Sequence, residues 1–216
     1  MLIAGAGVGG LALASVLDDV PTIKVTVLEQ TDEFKRFGGP IQLASNALQI
    51  LKEMDESIFE QVQAKFTVTG DKQNGIKDGI RNEWYSTFDL ASPAESRGMP
   101  YSGVIDRPDL QNILLQSVSP GVVQNGDGVA KYEQLSSGVT AHMESGNTIK
   151  GDVLIGADGI WSRVRQTMRQ QPAARGKGSG AVYSGYTVFV SAMDRLPRCN
   201  TNEHSSAGWR AGLPGS

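Results

Sequence analysis

The chain has 216 residues, of which 39% are hydrophobic and 20% are charged, and its formal net charge is -3. This length and composition are those of an ordinary folded polypeptide that can bury a sizeable core. The acidic balance argues against a nucleic-acid surface, because such surfaces need clustered positive charge. Cys199 has no second cysteine with which to form a disulfide, and His142 and His204 are too few for a zinc cluster. We therefore expect no metal site.

The amino-terminal residues have the order strand, glycine turn, helix, strand, which is typical of a βαβ unit. An apolar start leads into Gly5-Ala6-Gly7-Val8-Gly9-Gly10, and the pattern predicts a helix over 9–18 and a strand over 23–28. The apolar stretch 2–17 is too short to span a membrane and has no basic region before it. Because so few residues precede the first glycine, we expect the natural amino end to lie further upstream.

The glycine spacing predicts a site for the diphosphate of a dinucleotide. Gly5, Gly7 and Gly10 permit a tight turn, a close approach of pyrophosphate to main-chain N–H groups, and close packing of the helix on the strand. The helix start then favours an anion. Glu29 ends the second strand, where a carboxylate can accept hydrogen bonds from ribose and disfavours a 2′-phosphate. The alternatives are a plain strand-to-helix corner and a surface glutamate.

The middle of the chain changes character. A loop is predicted over 32–40, and a helix starts at Ser45, with that serine as its cap. Short alternating segments interrupted by glycines predict an antiparallel sheet over 66–101. Helical periodicity returns over 107–117, with an Arg-Pro pair at the helix entry.

The last part of the chain predicts short strands, one further helix and an irregular end. Strands are expected at 129–135, 139–144, 148–150 and 152–156. A helix is expected over 161–168, a flexible basic linker over 170–180 and a strand over 181–190. Beyond residue 193 the apolar periodicity stops, which favours a disordered or poorly packed tail.

The segment from Gly151 to Arg165 resembles the second fingerprint of the single-component flavoprotein monooxygenases. In it an apolar strand leads into Asp158-Gly159 and then into a Ser-x-x-Arg helix start. Further segments are similar to the carotenoid epoxidases of that family, and they lie at 39–48, 69–71, 84–85, 158–162 and 183–187. The likeness covers about residues 1–190.

The resemblance implies an α/β chain with a Rossmann-like FAD-binding fold of the three-layer ββα type and a partial antiparallel β-sheet substrate region. It divides the chain into an incomplete FAD-binding domain over 1–66 and 102–170, a partial substrate-domain sheet over 67–101 and 181–192, and an irregular tail over 193–216. The family's third fingerprint, a Gly-Asp pair, is expected beyond residue 216. We therefore expect the chain to be part of a longer protein.

The resemblance also assigns cofactor-binding roles. Contacts with the FAD pyrophosphate are implied for Gly5, Gly7, Gly10 and Arg107, contact with the adenosine ribose for Glu29, and positions near ribose and pyrophosphate for Asp158 and Gly159. A solvated helix-start arginine is an equal alternative for Arg107. Arg163 or Arg165 would orient the second fingerprint or meet the nicotinamide phosphate. Secondary candidates are Arg36 for phosphate, Gln42 and Asn46 for the flavin ring, and Trp84, Tyr85, Phe88, Tyr183 and Tyr186 for an apolar substrate wall.

The activity implied by the resemblance is that of an FAD-dependent monooxygenase of the chloroplast. Such an enzyme inserts one oxygen atom of O2 into a ring double bond of a carotenoid, with NADPH as electron donor, directly or through reduced ferredoxin. A peripheral contact with the thylakoid membrane would fit a substrate dissolved in lipid. No catalytic acid, base or nucleophile is expected, because the flavin carries the oxidation. The alternatives are an FAD-dependent aromatic hydroxylase and a non-catalytic nucleotide-binding product.

Overall fold

The computed structural model describes residues 1–34, 38–172 and 182–185. Its strands are β1 (Leu2–Ala4), β2 (Thr26–Leu28), β3 (Pro40–Leu43), β4 (Thr67–Val68), β5 (Asn74–Lys77), β6 (Trp84–Phe88), β7 (Gly103–Asp106), β8 (Val123–Gln124), β9 (Val129–Leu135), β10 (Gly138–Met143), β11 (Thr148–Gly151) and β12 (Leu154–Gly156). Its helices are α1 (Val8–Asp18), α2 (Ser45–Met54), α3 (Glu56–Lys65), α4 (Ala91–Glu95), α5 (Arg107–Gln116) and α6 (Arg163–Met168).

The centre of the fold is a four-stranded sheet in the order β12-β1-β2-β8. All its pairings are parallel, and β1 lies between β12 and β2. Parallel strands of one sheet end at the same edge, so the loops that follow β1, β2 and β12 come together there. That edge brings the glycine turn, Glu29 and Asp158 to one place.

Alternate residues of the central strands face two different cores, as the two-residue period of a strand requires. One core contains residues of the sheet and of helices α1 and α5, among them Ile3, Val27, Leu11 and Leu114. The other contains residues of the sheet and of the antiparallel sheet β11-β10-β9, among them Leu2, Ala4, Leu28, Ala141 and Met143. Helices thus cover one face and strands the other, which confirms the predicted three-layer ββα fold.

A second antiparallel sheet, in the order β3-β7-β4, leads into helix α5. Pro40 pairs with Asp106 at one end of the β3–β7 ladder, and Leu43 pairs with Gly103 at the other. Pro40 is compatible with a strand because β3 is an edge strand of this sheet. Buried residues of α2 and α3, including Leu48, Ile58 and Val62, belong to the same core as α1 and α5.

The prediction of Ser45 as a helix cap is wrong. Helix α2 begins at Ser45, and Ala44 occupies the N-cap position without a side-chain hydrogen bond. The sequence pattern does not predict α3, which follows directly because the Asp55 carboxylate accepts a hydrogen bond of 2.7 Å from the Ser57 N–H. It does not predict the short helix α4 either.

Residues 66–101 contain less sheet than the pattern predicts. Strand β4 pairs with β7, outside that range, while β5 and β6 form a separate two-stranded antiparallel sheet, and α4 follows. Every residue of β6 is exposed. We call the segment from Asn74 to Phe88 the β5–β6 hairpin. The division of the chain into a FAD-binding and a substrate region stays a prediction.

Some expectations concern residues that the structure describes only in part or not at all. Residues 182–185 belong to the predicted strand over 181–190 but are irregular. The rest of that strand, Arg36 and the tail over 193–216 lie outside the described residues. Within the described ranges, no helix combines the length and the apolar character needed to cross a membrane. The same ranges hold no cluster of His, Cys, Asp and Glu side chains suited to a metal ion.

Candidate dinucleotide-binding site

A cleft of about 740 Å³ opens at the edge where the parallel strands end. Of the residues predicted from the sequence, it is lined by Gly5, Gly7, Glu29, Arg107, Asp158 and Gly159. Gly10 is buried beneath the glycine turn and is not part of this lining. The cleft is within the size range of cofactor sites in proteins.

Two of the three glycines must be glycine because a side chain there would clash with neighbouring main-chain atoms. Gly5 has φ +100°, and a Cβ there would lie 2.6 Å from the Ala157 carbonyl oxygen. A Cβ on Gly10 would lie 2.0 Å from the Gly5 carbonyl oxygen. Both distances are far below van der Waals contact. These glycines therefore let helix α1 pack directly on the turn and on the loop after β12.

Gly7 is different, because none of the residues that the structure describes occupies the space beside it. A Cβ on Gly7 would have no neighbour within 4 Å, yet Gly7 lines the cleft. It is also the N-cap of α1, with no side-chain hydrogen bond and no acidic residue in the first turn. The first-turn N–H groups of a helix are unpaired unless something caps them, and they favour an anion. The space and the donors fit a phosphate group.

The main chain of the glycine turn is held at Ala6 from two sides. The Ala6 N–H donates to Oε2 of Glu29 at 2.7 Å, and the Ala6 carbonyl accepts from Nε2 of Gln111 at 2.8 Å. Gln111 lies one helical turn after Arg107, so both side chains share a face of α5 and line the cleft. The sequence reasoning misses Gln111, although its i, i+4 spacing from Arg107 is a signal that could have found it.

Glu29 is 8% exposed and lines the cleft. Its Oε1 accepts hydrogen bonds from the Thr31 N–H and hydroxyl at 2.9 and 2.8 Å, whereas its Oε2 accepts one from Ala6. Each carboxylate oxygen can accept about two hydrogen bonds. Oε2 therefore retains capacity for a hydroxyl donor in the cleft, as a ribose would supply.

One carboxylate oxygen of Asp158 stabilises the start of α6, and the other makes no hydrogen bond with a described residue. Its Oδ2 accepts from the N–H groups of Arg163 and Val164 at 2.6 and 3.2 Å. Its Oδ1 is buried and has no hydrogen-bond partner among the described residues. Gly159, with φ +77°, has no neighbour within 4 Å of a Cβ position and lines the cleft beside it. Like Gly7, it leaves room for a ligand.

Arg107 is the first residue of α5 and lines the cleft. Its N–H donates to the Gly39 carbonyl at 3.4 Å, and a Cβ on Gly38 would lie 3.2 Å from its Cδ. The helix start and the glycine segment before β3 thus position its guanidinium. Arg163 also lines the cleft, and the Arg165 guanidinium donates to the Ile160 carbonyl at 2.6 Å, which orients the loop after Asp158.

Carboxylates outnumber guanidinium groups around the cleft. The described acidic residues that line it are Glu29, Asp32, Glu33, Glu144 and Asp158, and the described basic residues are Arg107 and Arg163. A diphosphate must therefore rely on the positive end of α1 and on the arginines. The acidic wall suits the hydroxyl-bearing part of a nucleotide.

Several secondary candidates lie away from the cleft. Gln42 and Asn46 line a separate cavity at the start of α2. Trp84, Tyr85 and Phe88 lie exposed on the β5–β6 hairpin, and Tyr183 is exposed in the segment 182–185. Tyr186 and Arg36 lie outside the described residues. A single apolar wall beside the cleft is therefore not formed by the described members of this set.

Comparison with known proteins places the chain in a family. The sequence model of the FAD binding domain matches residues 1–203. The chain is 38% identical over 217 residues to the chloroplastic zeaxanthin epoxidase of Spinacia oleracea, which covers 99% of this chain. It is 39% identical over 211 residues to the corresponding protein of Arabidopsis thaliana, covering 96% of this chain. In each case the chain spans 30% of the relative's length.

Solved structures show the same fold. Klebsiella pneumoniae HpxO complexed with FAD and uric acid matches with a TM-score of 0.65 and 28% identity, over 76% of this chain and 40% of that one. A salicylate hydroxylase substrate complex matches with a TM-score of 0.61 and 22% identity, over 77% of this chain and 37% of that one. The second likeness is one of fold alone. With the family model covering most of its residues, the chain belongs to the FAD binding domain family and is a homologue of the zeaxanthin epoxidases.

Proposed function

We propose that the chain binds FAD in the cleft and forms part of an FAD-dependent monooxygenase that inserts one oxygen atom of O2 into a ring double bond of a carotenoid. The observation that carries the proposal is the open space at Gly7, on an uncapped helix start that lines a cleft with Glu29. The names of the curated relatives support the epoxidase assignment.

Different residues of the cleft would contact different parts of the cofactor. The first-turn N–H groups of α1, exposed beside Gly7, would donate to the diphosphate, and Arg107 would offset its charge. Oε2 of Glu29 would accept from the adenosine ribose, which sets the nucleotide's direction along the acidic wall. Asp158 and Gly159 would border the ribose and pyrophosphate. When bound, the flavin supplies the redox and oxygen-transfer chemistry.

The remaining assignments go beyond the residues of the cleft. NADPH is the proposed electron donor, used directly or through reduced ferredoxin, as the family resemblance implies. Glu29 does not oppose this assignment, because it disfavours a 2′-phosphate only on the nucleotide held at the FAD site. The chloroplast is the proposed location, since the relatives are named as chloroplastic. Peripheral contact with the thylakoid membrane is proposed from the lipid solubility of a carotenoid. The FAD-binding region is proposed to comprise 1–66 and 102–170.

A matched pair of glycine variants tests the proposal. Gly7→Val places a side chain into the cleft, whereas Gly9→Val adds the same side chain to the same helix start, where a Cβ also has no neighbour but does not line the cleft. We expect the parent chain and Gly9→Val to bind FAD, measured by flavin absorbance and titration. Gly7→Val is expected to weaken binding at least about tenfold, since losing one charge-assisted contact costs about 1.4 kcal/mol or more.

The result for Gly7→Val is interpretable only if the variant folds, which circular dichroism and thermal melting check. Equal FAD affinity for both variants, or a parent chain that binds no flavin, would refute the assignment. A colourless parent chain that still binds adenine nucleotides would favour the non-catalytic alternative. A flavin-loaded protein that oxidises aromatic acids but not carotenoids would favour the hydroxylase alternative.

A further inference from the structure

The turn of the β5–β6 hairpin carries the most exposed isoleucine of the described residues. Ile80 is 98% exposed, and the side chains of Trp84 and Tyr85, which follow the turn at the start of β6, are exposed as well. The hairpin pairs with no other strand that the structure describes. We call the segment from Asp78 to Glu83 the hairpin tip. Large apolar side chains gathered at one end of a hairpin mark an interaction surface.

The main chain of the hairpin tip is hydrogen-bonded within itself. Oδ1 of Asp78 accepts from the N–H groups of Ile80 and Arg81 at 2.8 and 2.9 Å. The Asp78 N–H donates to the Glu83 carbonyl at 2.8 Å, and the Asn82 N–H donates to the Asp78 carbonyl at 2.9 Å. An unpaired main-chain N–H is unfavourable in lipid, because nothing there replaces water. These four N–H groups are already paired, so the tip can leave water without losing their hydrogen bonds.

The two aromatic residues next to the tip suit the boundary between lipid and water. The Tyr85 hydroxyl donates to Oδ2 of Asp78 at 2.6 Å, and Nζ of Lys77 lies 5.2 Å from the centre of the Trp84 ring. Each ring thus has a polar partner beside its apolar body. Tyr and Trp are enriched at the headgroup level of membranes for this reason. With Ile80 in the turn beyond them, the side chains have the order of a shallow membrane anchor.

The charges around the tip determine which lipid it needs. Lys77 and Arg81 are balanced by Asp78 and Glu83, so the segment 76–85 has no net charge. Charged side chains stay near the lipid headgroups, since they are unfavourable in hydrocarbon. Without an excess of basic residues, attraction to anionic lipid contributes little to binding. Burial of apolar side chains must therefore supply the affinity.

The base of the hairpin is attached to the strand that leads into the dinucleotide cleft. Nδ2 of Asn74 donates to the Thr69 carbonyl at 2.9 Å, and the Thr69 N–H donates to the Ser102 carbonyl at 3.0 Å. Ser102 directly precedes β7, which ends at Asp106 beside Arg107 of the cleft. The path along β7 is about 13 Å long. The hairpin is thus connected through one short strand to the proposed cofactor site.

We propose that the hairpin tip inserts Ile80 into the headgroup region of a lipid bilayer without net charge, with Trp84 and Tyr85 at the boundary to water. This deepens the peripheral membrane contact proposed above, because it names the element that makes the contact and the lipid chemistry that it fits. For its biological purpose it rests on the proposed oxidation of a lipid-dissolved substrate. The contact is weak and reversible, since so few side chains are inserted.

Vesicles of phosphatidylcholine, a zwitterionic lipid, test the proposal by flotation of the full chain with FAD added. We expect Ile80→Asn to lower the partition coefficient about tenfold, which is the lower range for burial of an isoleucine side chain. Ile50→Asn is the matched control, because Ile50 is 56% exposed on α2, and it should leave partition unchanged. Adding anionic phosphatidylglycerol to the vesicles should change partition by less than about twofold.

Fluorescence quenching by phosphatidylcholine brominated in its acyl chains locates the contact. Tryptophan emission of the vesicle-bound parent chain should be quenched, because Trp84 adjoins the inserted tip. Trp84→Phe should remove most of this quenching in the fraction of the chain that still floats with the vesicles. Circular dichroism checks that each variant folds, and Ile80→Asn should fold like the parent chain because position 80 is exposed.

The outcomes separate this proposal from the proposed function. A parent chain that does not float, equal partition of the two asparagine variants, a requirement for anionic lipid, or quenching that survives Trp84→Phe would overturn the proposal. The first result is the one expected if the hairpin contacts protein instead of lipid. Flavin absorbance of the same samples reports FAD binding independently, so a flavin-loaded chain that ignores the vesicles refutes only the hairpin assignment.

Discussion

The glycine turn, between β1 and α1, and the turn of the β5–β6 hairpin both contain glycine, but different contacts hold them. The glycine turn is fixed by residues far away in the chain, because Glu29 and Gln111 bind the N–H and the carbonyl of Ala6. In the hairpin the contacts are local, since Asp78 accepts from the Ile80 N–H and the Tyr85 hydroxyl. The first region is mostly buried or half-buried, and the second is mostly exposed.

This difference indicates where the site's geometry comes from. The cleft depends on strands and helices distant in sequence meeting at one sheet edge, so disturbing one contact moves the whole turn. A two-stranded hairpin is marginally stable by itself and contributes little to the rest of the fold. Substitutions at the glycine turn should therefore affect stability and FAD binding strongly, and substitutions in the hairpin should affect neither by much.

The largest expected effect is that of Gly10→Ala. The new Cβ would meet the Gly5 carbonyl oxygen at 2.0 Å, so α1 or the turn must move. We expect the free energy of unfolding to fall by about 3 kcal/mol, the upper range for overpacking. For a chain of 216 residues this corresponds to a decrease in Tm of roughly 6–12 °C, measured by thermal melting.

Gly9→Ala is the matched control for that measurement. A Cβ on Gly9 has no neighbour within 4 Å, and alanine is the better helix former. The control should melt at or slightly above the parent temperature. If Gly10→Ala and Gly9→Ala melted alike, the close packing of α1 on the turn would be wrong.

Gln111→Ala should have an intermediate effect. The Ala6 carbonyl would lose its hydrogen bond, which costs about 1–2 kcal/mol for a partly buried group. Because Ala6 lies within the turn, FAD affinity should fall by roughly fivefold to thirtyfold in a fluorescence titration. Gln116→Ala, at an exposed position of the same helix, should leave both properties unchanged. An FAD affinity unaffected by Gln111→Ala would show that this contact does not shape the turn.

Tyr85→Phe should have the smallest effect and should be confined to the hairpin. The Tyr85 hydroxyl lowers the pKa of Asp78 below 3.8, and Asp78 raises the pKa of Tyr85 above 10.0. The ionised Asp78 carboxylate therefore contributes its full share to the free energy of unfolding above pH 3.8. This contribution is lost as the pH falls through its lowered pKa. The protonated Tyr85 hydroxyl contributes its full share to the free energy of unfolding below pH 10.0. This contribution is lost as the pH rises through its raised pKa.

Carboxyl and aromatic resonances in an NMR titration check this prediction. Tyr85→Phe should move the Asp78 pKa upward toward 3.8, although the main-chain N–H groups of Ile80 and Arg81 still hold it somewhat lower. Resonances of the glycine turn should not change. A global loss of structure in this variant would contradict the view that the hairpin is energetically local.

Much of the fold follows from patterns that act over short distances. The apolar runs of β1 and β12 and the spacing of Leu110, Ile113 and Leu114 in α5 predict the elements that the structure contains. Strands such as β3 and β7 depend on pairing across the chain, which sequence periodicity does not report. Pro40 even argues for a loop, and it is accommodated only because β3 is an edge strand.

Site residues could be predicted from the sequence where the residue type and its spacing together have a clear physical reason. The glycine spacing and the acid after β2 place Gly5, Gly7 and Glu29 in the cleft. Gln111 gives a weaker signal, its i, i+4 spacing from Arg107, because a glutamine on a helix is common in any sequence. Its role emerges from its partner in the fold, the Ala6 carbonyl.

Amide hydrogen exchange tests the central claim most directly, because the claim concerns main-chain N–H groups at the start of α1. The full chain is compared with and without FAD by mass spectrometry or NMR. FAD should slow exchange in the segment 5–11 and leave exchange in the β5–β6 hairpin unchanged. Exchange in the segment 5–11 that stays the same while FAD is bound would show that the cofactor lies elsewhere.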